Sequence, residues 1–211
     1  MTPRIKVCGI TRVEDAAAAV ELGAAAVGFV FWPRSPRRIA VETAREIGGI
    51  LPPFVARIGV FVDMPVDDVA RIVDDARLDG VQLHGDEKTD PYRQLKARLI
   101  KAVTLDSDTD VKAAATLPAH VTVLVDATDR VRRGGTGRVA DWTNAAALAA
   151  QRPIILAGGL TAANAAEAIR QVRPWAVDVS SGVESAPGVK SRERLEAFFA
   201  AVNAAAAVEA R

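Results

Sequence analysis

The sequence predicts a closed (β/α)8 barrel, and three observations lead there. Eight short β-branched runs recur along the 211 residues. Each run is almost wholly apolar, as parallel strands covered on both faces must be. Turns and alanine-rich amphipathic stretches separate them, which is the alternation of a βαβ series. Eight units in this length leave about 26 residues each, compact but sufficient for such a barrel. An open doubly wound sheet is the alternative, but five or six strands satisfy it and it gives no reason for eight evenly spaced ones.

The first run is Ile5-Lys6-Val7-Cys8, and a helix is expected over 13–22, with Glu14 and Asp15 at its positive end and Gly23 to stop it. The second run covers 26–31 and its helix 41–47, ending before Gly48-Gly49. The third covers 57–62; its helix, 66–76, follows Pro65 and opens with Asp67 and Asp68. Runs four and five, 80–84 and 99–103, are followed by shorter segments of less regular pattern. Run six is 121–126 and run seven 153–157, the latter followed by a helix over 161–169 with Thr161 as N-cap. Run eight is 176–180, and a last helix is expected from about 191 to 202, with a frayed alanine tail beyond about 203. No linker, charge run or internal repeat marks a second domain, so one barrel domain is expected to take the whole chain.

Composition narrows the function. Half the residues are hydrophobic, enough to bury a sizeable core. The formal net charge is +1, and no basic cluster is interleaved with aromatics, so nucleic acid is not an expected partner. One cysteine, Cys8, excludes an intrachain disulfide and a cysteine zinc site, and two histidines leave little for a histidine metal site. No signal-peptide pattern opens the chain, and no apolar run approaches the roughly 20 residues a bilayer requires. A cytoplasmic protein with no membrane association and no obligate protein partner is expected.

In such barrels the chemistry sits at the C-terminal ends of the strands. Cys8 ends the first run before a flexible glycine; a lone cysteine is usually an inert small hydrophobe, but this position can serve acid–base or nucleophilic chemistry. Asp126 ends the sixth run, and the long loop after it, 127–140, contains Arg132-Arg133-Gly134-Gly135-Thr136-Gly137, a candidate mobile lid that lacks the GK[ST] of a nucleotide-binding loop. Ala157-Gly158-Gly159-Leu160 and Ser180-Ser181-Gly182-Val183-Glu184 follow runs seven and eight, where barrels frequently bind phosphate through backbone N–H groups. The loop after run two, Trp32-Pro33-Arg34-Ser35-Pro36-Arg37-Arg38, is stiffened by two prolines and carries three arginines suited to a carboxylate. His84 closes run four, open between substrate contact and structural hydrogen bonding. His120 lies at the opposite face and takes no role.

Lys6-Val7-Cys8-Gly9-Ile10-Thr11, Gly28-Phe29-Val30-Phe31, Ser35-Pro36-Arg37, Val81-Gln82-Leu83-His84-Gly85, Gly134-Gly135-Thr136-Gly137, Ala157-Gly158-Gly159-Leu160 and Val177-Asp178-Val179-Ser180-Ser181-Gly182-Val183-Glu184 occur in this order. Together they resemble the phosphoribosylanthranilate isomerase family of tryptophan biosynthesis, over about residues 4–199. Departures are small: Ala140-Asp141-Trp142 stands where Phe-Asp-Trp is frequent, and Lys190-Ser191 where Lys-Asp is usual. The resemblance implies an Amadori rearrangement without cofactor or metal, with Cys8 as general base and Asp126 as general acid. It also implies Arg37 on the anthranilate carboxylate, His84 and Asp178 as further substrate contacts, and phosphate held at Gly158, Gly159, Ser180, Ser181 and Gly182. In a closed barrel, strands seven and eight lie between strands six and one, so the phosphate would sit between Asp126 and Cys8. Free thiols titrate near 8.5 and carboxyls near 4, so both groups are expected to shift toward neutrality.

Three rivals share parts of this pattern. The corresponding isomerase of histidine biosynthesis would carry an aspartate where Cys8 stands. Indole-glycerol-phosphate synthase would need a catalytic lysine at the mouth, whereas Lys6 and Lys101 lie within strands. A non-catalytic phosphate-binding barrel would need neither Cys8 nor Asp126.

Overall fold

The computed structural model describes residues 2–126 and 142–209. Eight strands form the barrel: β1 (Arg4–Cys8), β2 (Ala26–Val30), β3 (Ala56–Phe61), β4 (Gly80–Leu83), β5 (Arg98–Val103), β6 (Val121–Asp126), β7 (Ile154–Ala157) and β8 (Ala176–Val179). They neighbour one another in chain order and the ring closes through parallel pairing of β1 with β8. The expected fold is therefore the observed one.

Alternation along each strand builds two separate cores. On β1 the odd residues Ile5 and Val7 pack outward in the large cluster beneath the helices, with Val27 and Phe29 of β2, Val123 and Val125 of β6 and Val177 and Val179 of β8. Ile58, Ile100, Leu124, Ile155 and Ala176 point inward and fill the barrel. The same period of two aims Lys6 and Cys8 inward, away from the apolar helices.

Around the ring run α1 (Val13–Glu21), α2 (Val41–Gly49), α3 (Val66–Asp75), α4 (Asp108–Ala115), α5 (Thr143–Ala149), α6 (Ala165–Val172) and α7 (Arg192–Glu209). Several boundaries differ from expectation. Helix α2 does not stop before Gly48-Gly49 but runs through both. Thr161 does not cap α6, which starts four residues later at Ala165 with Asn164 as its N-cap. The Asn164 side chain instead ties down the preceding loop, accepting from the Thr161 N–H at 2.8 Å and donating to the Gly159 carbonyl at 3.0 Å. The segment after β4 is a short 3-10 turn, Asp90–Gln94, with Pro91 at its start. Helix α7 continues past Val202 through the alanines, the strongest helix formers. A hairpin between β8 and α7, β9 (Glu184–Ala186) with β10 (Val189–Lys190), has no counterpart in the sequence reading. Among the described residues no helix is long and apolar enough to cross a membrane. The candidate lid lies outside the described residues.

Candidate active site

The C-terminal strand ends surround a cavity of about 420 Å³. Cys8, Arg37, His84, Asp126 and Asp178 line it, together with Gly158, Gly159, Ser180 and Ser181. Nine of the ten candidate positions thus converge on one space. The tenth, Gly182, lies outside it; a Cβ there would stand 1.9 Å from the Leu160 carbonyl oxygen, so this glycine serves close packing between the loops after β7 and β8.

Register explains which groups meet. Cys8 pairs with Gly28 of β2, and Lys6 pairs with Asp178 of β8. Both Asp178 oxygens accept from the Lys6 ammonium at 2.9 Å, and both side chains are buried. Burial is the largest single effect and pushes the Lys6 amine down, but the charges of Asp178 and Cys8 and the hydrogen bonds to them together prevail, and the net direction is up. For the Cys8 thiol the larger effect is burial, which pushes it up against the pull of the Lys6 charge. The net shift is away from neutrality, opposite to the expectation for a base. Removing a thiolate from water costs more than its charged neighbours return.

Across the mouth, His84 joins two groups. The Gln82 amide lies 2.8 Å from His84 Nδ1, and His84 Nε2 lies 3.3 Å from Asp126 Oδ2. With the Gln82 amide donating to Nδ1, the neutral ring carries its proton on Nε2, facing the carboxyl. Sequence reasoning passed over Gln82, although it stands two residues before His84 and so on the same face of the strand.

The Arg37 guanidinium is anchored by Glu184: Nε donates to Oε1 at 2.8 Å and Nη2 to Oε2 at 2.6 Å. Two of its five N–H donors are thereby engaged and three remain. Lys190, also buried, donates to Glu184 Oε1 at 2.7 Å and to the Cys8 carbonyl at 2.7 Å. Burial lowers the Lys190 amine despite the bond to Glu184. The hairpin thus connects the arginine loop to the end of β1. Nothing in the local sequence of Glu184 or Lys190 announces this, because both act across the barrel seam.

The loop after β7 turns through two left-handed residues, Gly158 at φ +88° and Gly159 at φ +64°. A Cβ at Gly159 would meet nothing within 4 Å, so the backbone there borders open space. A loop of this shape lets peptide N–H groups approach an anion closely. Among the described residues no three His, Cys, Asp or Glu side chains converge to hold a metal ion.

Comparison with known proteins places the chain in a family. The family model for N-(5'-phosphoribosyl)anthranilate (PRA) isomerase matches residues 5–201. The N-(5'-phosphoribosyl)anthranilate isomerase of Geotalea uraniireducens is 47% identical over 202 residues, covering 93% of this chain and 96% of its own. That of Pseudomonas savastanoi pv. phaseolicola is 45% identical over 204 residues, with 95% and 97% covered. The crystal structure of phosphoribosyl anthranilate isomerase from Thermotoga maritima aligns at a TM-score of 0.89 and 40% identity, covering 96% of this chain and 99% of that one. A second crystal structure, of phosphoribosyl anthranilate isomerase in complex with reduced 1-(o-carboxyphenylamino)-1-deoxyribulose 5-phosphate, aligns at 0.85 and 38% identity with the same coverage. With nearly its whole length matched, this chain belongs to the N-(5'-phosphoribosyl)anthranilate isomerase family.

Proposed function

We propose that Cys8 and Asp126 are the base and acid with which this chain isomerises N-(5-phospho-β-D-ribosyl)anthranilate to 1-(2-carboxyphenylamino)-1-deoxy-D-ribulose 5-phosphate, a step of tryptophan biosynthesis. One observation carries the assignment: the two groups end strands on different sides of one cavity, with the Gly158-Gly159 loop lining it too.

The chemistry needs one proton given and one taken. A protonated Asp126 donates to the ribose ring oxygen; the ring C–O bond breaks as the nitrogen lone pair forms the C1=N bond. The thiolate of Cys8 then removes the C2 hydrogen, and the electron pair moves to give a neutral enolamine. Loss of the O2 proton and gain of one at C1 yield the ketone, so the sum is an isomerisation without redox partner. Gly158, Gly159, Ser180 and Ser181 hold the phosphate, while Gly182 keeps their loops in contact. Arg37 takes the anthranilate carboxylate with the donors Glu184 leaves available. His84 and Asp178 complete the substrate contacts, and His84 also orients the acid. We place the enzyme in the cytoplasm, where its one thiol stays reduced.

The test is kinetic. Asp126→Asn keeps the shape and removes the donor; Cys8→Ala removes one sulfur. Each should lower kcat by at least about 10²-fold, the usual worth of general acid or base catalysis, while the barrel still folds. Alkylation should incorporate one label per chain in step with lost activity, and substrate should slow it. Turnover at the wild-type rate by Cys8→Ala or by fully alkylated enzyme would show that another group is the base.

A further inference from the structure

Lys6 and Cys8 stand two residues apart on the inner face of β1. Both flank the bare α-carbon of Gly28: a Cβ there would lie 2.9 Å from Cys8 Sγ and 3.2 Å from Lys6 Nζ. Of the three ammonium N–H bonds, two go to the Asp178 oxygens, at 2.9 Å each, which leaves one for the sulfur. A buried ion pair adds little stability over apolar packing. The barrel interior elsewhere is filled by Ile58, Ile100, Leu124 and Ile155, so packing alone gives no reason for a charged pair beside the thiol.

We propose that Lys6 is a positioning residue for the isomerisation: its ammonium, clamped by Asp178, faces the Cys8 sulfur and makes the thiolate accessible as the acceptor of the C2 proton. This rests on the reading of Cys8 as the base. Lys6 is not consumed, because the proton passes from carbon to sulfur and the ammonium keeps its own. The charges around the thiol are mostly positive. Burial pushes the thiol up, Lys6 and Lys190 pull it down, and Asp178 opposes them less strongly than Lys6 acts. Arg37 adds positive charge from the loop after β2, and Asp126 and His84 line the same cavity from across the mouth.

Cys8 is the only thiol, so thiolate absorbance and the pH dependence of iodoacetamide labelling report on it alone. Lys6→Gln should raise the thiol midpoint by about one to three units, the usual effect of a neighbouring opposite charge. Labelling at neutral pH should slow about tenfold per unit, and kcat should fall with KM little changed. The double variant Lys6→Gln/Asp178→Asn, which leaves no unpaired buried carboxylate, should show a rise in the same direction but smaller, because Asp178 no longer pushes the thiol up. In the unmutated protein, the ¹³Cε resonance of Lys6 should step at the midpoint of the thiol titration. A folded variant whose thiol titrates within a few tenths of a unit of wild type, or a Lys6 resonance with no such step, overturns the proposal. Undiminished turnover by Cys8→Ala would overturn the base assignment instead, and the titrations would still decide the coupling.

Discussion

Glu184 holds two cations at once: both its oxygens bind Arg37, at 2.8 and 2.6 Å, and Oε1 also binds Lys190 at 2.7 Å. Burial pushes the Glu184 carboxyl up, yet the bonds from Arg37 and Lys190 prevail and its net direction is down. A carboxyl lowered in the folded state contributes stability above its unfolded value, about 4.3, and loses it as pH falls through the folded value. Urea unfolding between pH 7 and 3 should show the wild type losing stability in that acid window. Glu184→Gln should be weaker at neutral pH and flatter in acid. Parallel curves for the two proteins would remove Glu184 from the account.

Arg37→Ala should lower kcat/KM by about 10- to 100-fold, the cost of one charge-assisted contact at roughly 1.5–3 kcal/mol. Folding should survive, because Glu184 keeps Lys190 as partner. Steady-state kinetics beside a thermal melt separate the two effects. A normal kcat/KM would exclude Arg37 from substrate binding.

Inorganic phosphate should compete with substrate, through the loops at Gly158-Gly159 and Ser180-Ser181. Gly159→Val places a branched side chain at a left-handed position that borders open space. The phosphate inhibition constant and KM should then rise together, by about tenfold, as when one charge-assisted bond is lost. Noncompetitive inhibition would contradict this placement.

Gly28→Ala tests the narrow space between β1 and β2. The added carbon would lie 2.9 Å from Cys8 Sγ and 3.1 Å from the Cys8 α-carbon, and only the sulfur can move. Overpacking of this kind typically costs about 1–3 kcal/mol. The variant should melt earlier and lose most of its activity, since the displaced group is the proposed base. Wild-type melting and turnover would show that the space is not needed.

Much of this was readable in the chain. All eight strands announced themselves, because a parallel strand buried on both faces must be apolar throughout. Polar residues at the ends of such strands, Cys8, Asp126 and His84, then stood out against that background. What escaped reading depends on closure. Lys6 looked like a mid-strand lysine until β8 brought Asp178 beside it, and Glu184 and Lys190 gain their meaning from partners on the other side of the seam. The hairpin of β9 and β10 is too short to show a period, and Gly48-Gly49 suggested a stop where packing carries the helix onward. The direction of the Cys8 shift was also misjudged, since burial depth is a property of the folded barrel and not of a motif.

The sequence distances within the site have a consequence for how the enzyme comes into being. Lys6 meets Asp178 across 172 residues, and the Cys8 carbonyl meets Lys190 across 182. A ribosome delivers Lys6 and the thiol first, and Asp178 and Lys190 almost last, N-terminus leading. Until β8 follows, β1 has β2 as its only strand neighbour and Lys6 has no Asp178 to hold it. The final seam both closes the ring and shelters the sulfur, so a fragment missing β8 and the hairpin is not a slower enzyme but a chemically different object. Thiol-labelling of stalled chains would therefore time the birth of the active centre directly.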